Sequence, residues 1–444
     1  KRDGVQSIQI EQESACSIIY REETAGMSHI IFHIDVNSAY LSWTAVEQLK
    51  NGADVDIRTI PAIIGGDRES RHGIVLAKSP SAKKFGIRTG EPVVNAFRKC
   101  PNLHMDPPNH RMYREYSRRL MDFLKTYTPE IEQVSVDECY MDFTGIAQRF
   151  SSPVEAAYEI KARVYEKFGF TVNVGISTNK LLAKMASDFE KPDKTHTLFS
   201  SEIPDKMWPL PLRNLFFVGS SAAMRMEKIG LHTIGDIASC DCSILKAHLG
   251  DKYGSLIHRY ANGIDDSPVE EREPLNKGYG NSITLPQDIS DYPTACQVLL
   301  ALSETVGARL RENHVRCSCV CVELKDWQFH SHSHQATLPY ATDSTTMIYQ
   351  KACQLLKEFW DFTPVRLIGL RTSRIDETDF HQMNLFETEQ SRRMNALEKA
   401  VDSIRDKYGV DSIKRASFLE KDRVVDHTVS KKKHLKQKGE PYQP

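Results

Sequence analysis

The run Ser135-Val136-Asp137-Glu138-Cys139-Tyr140-Met141-Asp142 constrains this chain more than any other stretch. Two adjacent carboxylates sit in a segment otherwise made of strand formers. Neighbours on a flat strand point to opposite faces, so Asp137 and Glu138 can share a ligand only where the strand turns or twists. A β-hairpin here would supply that geometry. Burying both charges is expensive unless a cation neutralises them. A second acid, in Ile34-Asp35-Val36-Asn37, ends an apolar run from Ile30 to Ile34 that reads as a buried strand. Three carboxylates on neighbouring strand ends are the oxygen-rich ligand set that Mg²⁺ prefers when it also holds substrate phosphates. The chemistry that needs such a set is in-line phosphoryl transfer with two metals about 3.5–4 Å apart. Taken alone, the Asp-Glu pair also reads as the cap of a surface turn; the rest of the chain decides between the two.

A chain of 444 residues is too long for one hydrophobic core, so several domains are expected. No long uncharged apolar run is present, so no membrane span is expected, and the polar start Lys1-Arg2-Asp3-Gly4 lacks the apolar core of a signal peptide. The ten cysteines include no CxxC pair, which leaves zinc and thioredoxin-like chemistry unsupported and points to free thiols in a reducing cytoplasm. The formal net charge of −1 hides a basic last stretch (Lys431, Lys432, Lys433, Lys436, Lys438) and a basic early one (Lys78, Lys83, Lys84, Arg88). Acids clustered at a metal site would offset basic nucleic-acid-facing surfaces in any such sum, so net charge excludes nothing here.

Residues 1–26 show no periodicity and are set apart as an N-terminal extension. Strands are expected at Ala62–Ile64, Gly73–Ala77, Val134–Phe143 and Thr171–Ile176. Helices are expected at Ser38–Leu49, Ser81–Phe85, Met112–Thr126, Pro153–Phe168 and Asn179–Phe189. This alternation predicts an α+β sheet covered on one face by helices. After Pro192 come short helices separated by Gly219, Gly230 and Gly235, then a charged linker around Ser267–Lys277. Strands return at Asn281–Leu285, Cys317–Leu324 and Val365–Ile375, with helices at Thr294–Glu312 and Thr346–Phe359. One more helix near Met394–Tyr408 precedes a polar end expected to be disordered.

Asp35-Val36-Asn37-Ser38-Ala39-Tyr40, Ser135-Val136-Asp137-Glu138, Val174-Gly175-Ile176-Ser177-Thr178-Asn179-Lys180 and Lys191-Pro192 fall in the order and spacing of the Y-family DNA polymerases, and the chain resembles the bacterial members over roughly residues 28 to 415. The resemblance implies a right-hand polymerase: a palm at 27–47 and 106–199, small fingers at 48–105, and a helical thumb at 200–267. A linker at 268–277 would lead to a little-finger domain at 278–375 and a C-terminal tail at 376–444. It implies template-directed, low-fidelity addition of deoxynucleotides to a primer 3′ end on damaged templates, with no proofreading exonuclease. The catalytic and metal-binding residues would be Asp35, Asp137 and Glu138, with the backbone oxygen of Val36 and two Mg²⁺ ions. A monomer in the cytoplasm is expected, with primer–template DNA and deoxynucleoside triphosphates as partners.

The resemblance further places Ala39, Tyr40, Ser79, Lys83 and Lys191 at the nucleotide, with Tyr40 as the steric gate beneath the sugar. Two departures stand in Ser79-Pro80-Ser81-Ala82-Lys83, where family members commonly carry a tyrosine and an arginine. Pro80 cannot donate a hydrogen bond, and lysine lacks the bidentate fork of arginine. Ile74 and Leu76 match positions that roof the nascent base pair, and read equally well as core residues of a fingers strand. In the thumb, Gly219 and Ser220 open a hairpin expected to bind DNA through backbone amides. This hairpin lacks the second glycine and following lysine often seen, whereas Ile229–Asp236 fits the pattern. Gln382, Leu385 and Phe386, in Gln-Met-Asn-Leu-Phe, resemble the peptide with which bacterial polymerases bind their sliding clamp.

Other readings compete. A catalytically impaired relative serving as a DNA-binding recruitment module would rest on Pro80 alone. Gly65-Gly66-Asp67-Arg68-Glu69 looks like a diguanylate cyclase motif, but nothing after it continues that pattern. His330, His332 and His334 would share one face of a strand, yet no spacing of further ligands supports a metal there, and an exposed edge or loop is expected.

Overall fold

The computed structural model describes residues 29–67, 73–271, 276–376, 389–409 and 412–418. They fall into two compact units, divided between residues 273 and 274.

In the first unit, β1 (Ile31–Val36) leads into α1 (Ala39–Lys50). A small lobe follows, built from β2 (Ala62–Gly65), β3 (Val75–Lys78), α2 (Pro80–Lys84), α3 (Val93–Lys99) and β4 (His104–Asp106), with strand order β3-β2-β4. The chain then adds α4 (His110–Leu124), β5 (Ile131–Gln133), β6 (Glu138–Asp142), α5 (Pro153–Phe168), β7 (Val172–Ser177), α6 (Lys180–Asp188) and β8 (Thr195–Thr197). The resulting five-stranded sheet has the order β5-β6-β1-β7-β8. β6 fills the second half of the strand expected over Val134–Phe143 and, with β5, makes the hairpin that the adjacent acids called for, bent at Ser135–Asp137.

Period-two alternation divides the sheet residues between its faces. Phe32, Ile34 and Val36, with Cys139, Met141, Val174 and Ile176, pack in one core with Tyr116, Leu120 and Ile160 of the helices. Ile31, His33 and Asp35 face the other way, in register with Asp142, Tyr140 and Glu138. The expectation of helices on one face only is corrected here, because α6 lies on this second face. Gly175, opposite His33 in the register, makes that possible. A Cβ on it would lie 2.0 Å from the Ala183 carbonyl oxygen and 2.4 Å from the Ser187 nitrogen. Leu181, Leu182 and Met185 of α6 join the core of the thumb helices α7 (Ser220–Glu227), α8 (Ile234–Ser239), α9 (Cys242–Leu249) and α10 (Asp251–Ala261). The start of the linker is fastened to the palm: Glu132 accepts from Lys180 Nζ (2.6 Å) and from the Glu270 N–H (3.0 Å).

The second unit is a four-stranded antiparallel sheet of order β11-β10-β12-β9, built from β9 (Gly278–Ile289), β10 (Arg316–Asp326), β11 (Ser331–Thr342) and β12 (Val365–Asp376). Leu299, Leu302 and Val306 of α11 (Tyr292–Glu312), with Ile348, Leu355 and Leu356 of α12 (Thr345–Phe359), pack in one core with Val320, Val322, Ile368 and Leu370 of the sheet. His332 and His334 lie on the exposed edge strand β11, and His330 in the connection just before it.

The second unit continues past residue 375, where the little-finger domain was expected to end. α13 (Glu389–Tyr408) belongs to it, held by polar groups that composition presented as a solvated tail. Glu398, buried, accepts from the backbone N–H groups of Thr345 (3.0 Å) and Thr346 (3.1 Å) at the start of α12 and from Arg311 (3.1 Å). Asp402 takes the Arg311 Nε hydrogen bond at 2.6 Å. Glu304 on α11 pairs with both Arg405 and Arg415. The N-terminal extension, the Gln382–Phe386 motif and the basic run at 431–438 lie outside the described residues.

Candidate active site

The registers of β1, β6 and β7 assemble the carboxylates. Asp35 stands directly opposite Glu138 on the same face of the sheet. Asp137 precedes the strand in the bend, and its carbonyl accepts from the Val36 N–H at 3.0 Å. The bend resolves the problem of adjacent acids, because Asp137 is not bound by strand alternation. Ser135 shapes it: its Oγ donates to Asp137 Oδ1 (2.6 Å) and accepts from the Glu138 N–H (3.2 Å).

The electrostatics of the three acids differ. Burial pushes the Asp137 carboxyl up; Ser135 opposes this, and the neighbouring Asp35 and Glu138 charges add to it. Glu138 is held down to about 2 by the facing His33 imidazole and then by Lys184, against the opposing effect of burial. Lys184 Nζ sits 2.7 Å from Glu138 Oε2. Lys191 reaches Asp35 and also Asp188, the latter at 2.8 Å. Burial pulls the Lys191 ammonium down, but Asp35 and Asp188 outweigh that and raise it. Among the described residues, no three His, Cys, Asp or Glu side chains gather closely enough to chelate an ion as the chain stands. Lysines partner Asp35 and Glu138 instead, and Asp137 has no ion pair among the described residues. The donor set nevertheless fits a hard divalent ion: all oxygen, partly buried, and with excess negative charge at Asp137.

Tyr40, in the first turn of α1, stacks face to face on Tyr113 (4.2 Å between centroids, 10° between planes) and meets His110 edge-on. Burial and then the Asp137 charge raise its hydroxyl pKa. Tyr113 in turn exchanges a hydrogen bond with Thr44 (3.1 Å). Ala39 is buried. Neither Tyr113 nor His110 was singled out from the sequence, where each is one more residue on an amphipathic helix.

The fingers residues separate cleanly. Ile74 (42 % exposed) and Leu76 lie on the open side of β3, while Val75 and Ala77 fill the core, so the core reading of the pair is overturned. Ser79 is buried and its hydroxyl is engaged within the fold. It caps α2 by accepting from the Ala82 N–H (3.0 Å) and donates to the Ile60 carbonyl (2.7 Å). Pro80 occupies the first turn of this helix, where a missing N–H costs nothing. Lys83 is exposed on α2, and its charge helps lower the ammonium of Lys78, for which burial is the larger cause.

Asn37 was also passed over. Buried between strands, it donates to Asn173 (3.0 Å) and accepts from Thr171 Oγ1 and the Asp193 N–H (2.9 Å each). It therefore ties the end of β1 to the loop that carries Lys191. In the thumb, the two hairpins differ in local structure. The N–H groups of His232 and Thr233 are already taken by Asp236 Oδ2 (2.8 Å each). Gly219 starts α7 with no side-chain cap, and Ser220 is exposed.

Known proteins agree with this construction. The impB/mucB/samB family model matches residues 34–188, its C-terminal domain model matches 276–385, and a DNA polymerase-iota thumb-domain model matches 213–265. DNA polymerase IV of Clostridium acetobutylicum is 46% identical over 396 residues, covering 89% of this chain and all of the relative. DNA polymerase IV 1 of Bacillus subtilis is 34% identical over 400 residues, covering 89% of this chain and 95% of that one. A solved Y-family DNA polymerase chimera superposes with a TM-score of 0.68 at 24% identity, covering 79% of this chain and all of that one, a likeness of fold. The chain belongs to the Y-family DNA polymerases. Through that membership it is a template-directed, low-fidelity, metal-dependent DNA polymerase, and the cyclase reading is overturned.

Proposed function

We propose that Asp35, Asp137 and Glu138, with the backbone oxygen of Val36, hold two Mg²⁺ ions and extend a primer 3′ end with deoxynucleotides across damaged template. The observation that carries this assignment is the in-register pairing of Asp35 with Glu138 beside the bend that frees Asp137. When bound, the ions polarise the attacking hydroxyl and neutralise charge on the leaving pyrophosphate. Lys191, which now partners Asp35, supplies positive charge at the same place and can turn toward triphosphate oxygens once Asp35 takes metal, while Lys184 stays on Glu138. Tyr40, backed by Tyr113, lies beneath the incoming sugar and excludes a 2′-hydroxyl. Lys83, with Lys78 beside it, meets the phosphates from the fingers, while Ser79 contributes by shaping α2. Ile74 and Leu76 roof the base pair. Gly219 and Ser220 offer amides to the DNA backbone.

Gln382, Leu385 and Phe386 bind the sliding clamp, and the protein works as a monomer in the cytoplasm. Among the described residues no helix is long and apolar enough to cross a membrane. No observation favours the catalytically impaired alternative, since Pro80 sits where a helix accepts proline. The test is primer extension by Asp137→Ala. Extension should be lost with little change in DNA affinity, and near-normal extension by this variant would remove the assignment.

A further inference from the structure

We infer that His33 and Ser187 form a positioning pair that fixes the Glu138 carboxylate for metal binding, Ser187 selecting the imidazole tautomer that donates to Glu138. The inference rests on Glu138 being a metal ligand. His33 is fully buried in the centre of β1, on the face that carries Asp35 and Glu138. Its Nδ1 is 2.8 Å from Ser187 Oγ, and its Nε2, which makes no hydrogen bond within the described residues, lies 3.4 Å from Glu138 Oε2.

Counting protons sets the roles. A neutral imidazole has one donor nitrogen and one acceptor nitrogen. Glu138 Oε2 already receives Lys184 Nζ and is an acceptor, so the nitrogen facing it must carry the hydrogen. Nδ1 is then the acceptor, which requires the Ser187 hydroxyl to donate to it rather than to the Lys184 carbonyl 2.8 Å away. Ser187 can stand this close only because Gly175, beneath it, has no side chain. Lys184 holds Oε2 with His33 Nε2 facing it, and no described residue bonds Oε1, which is left for a metal. Orienting partners of this kind are worth roughly 10–100-fold in metal affinity at other sites.

The experiment measures Mn²⁺ binding by electron paramagnetic resonance. It uses the full chain with a dideoxy-terminated primer–template and the next deoxynucleotide, so that no turnover occurs. His33→Leu should weaken Mn²⁺ binding about tenfold, and Ser187→Ala should weaken it less, in the same direction. His33→Gln, whose amide can reach the position of Nε2, should restore most of the affinity. Thermal unfolding and DNA affinity of Ser187→Ala and His33→Gln should match the parent, a result that a merely structural role for the pair would not give. Glu138→Gln is the reference. If it weakens Mn²⁺ binding while Ser187→Ala and both His33 variants do not, the positioning role is overturned. If Glu138→Gln itself binds Mn²⁺ normally, the ligand assignment falls instead. Should His33→Leu fail to fold, the Ser187→Ala and His33→Gln comparison decides the question.

Discussion

Tyr40 shows how one side chain gains a function from its backing. Its ring stacks on Tyr113, which is held by Thr44, so its orientation is fixed by packing. Tyr40→Ala should admit ribonucleotides far more readily while deoxynucleotide synthesis continues; an unchanged discrimination ratio in single-nucleotide insertion would assign the ring to the core instead. Tyr113→Ala should relax the same ratio partially by removing the stack, whereas Tyr113→Leu, which still fills the space, should relax it less. The residue scale is also where sequence reading was uneven. The three acids were legible because charge inside apolar strand formers is costly enough to demand a reason. His33 was not, because its partners lie 154 residues away on α6 and at Glu138 of a neighbouring strand, and no local pattern reports them.

Among the elements, α13 is the one whose role changed most. It docks through charge: Glu398 is buried, caps α12, and pairs with Arg311, itself nearly buried. Breaking a buried, hydrogen-bonded pair from one side leaves an unpaired charge, a cost of about 3–5 kcal/mol. Glu398→Ala should therefore lower the unfolding transition of the second unit and speed hydrogen exchange at Thr345 and Thr346; exchange at the parent rate would show that the cap contributes nothing. Sequence periodicity could not find this docking, since a helix that buries acids and arginines against another helix has the composition of a solvated one. The thumb hairpins carry the same lesson. The Ile229–Asp236 pattern matches its motif well, yet Asp236 takes the amides that the motif would offer to phosphate.

For the molecule as a whole, the working unit is a polymerase whose thumb hairpin at Gly219 lacks the usual second glycine and lysine. The weaker grip on DNA proposed for this hairpin would make tethering valuable, because tethering raises the effective concentration at the primer end. Replacing Leu385 and Phe386 with alanine should leave unaided extension unchanged and remove stimulation by the clamp; equal stimulation of variant and parent on clamp-loaded primed DNA would discard the motif. Order along the chain determined much by itself: the acids and their chemistry, the strand–helix alternation, the helix over Pro153–Phe168, and the succession of domains. These are local or sequential properties, set by periodicity, capping and the cost of burying charge. Only the tertiary structure decided which face Ile74 and Leu76 occupy, that α6 covers the second face of the sheet, that α13 is part of the second unit, and that His33 meets Glu138. Each depends on register or on contact between segments far apart in sequence, and a strand's register, once slipped by one residue, reverses every side chain on it.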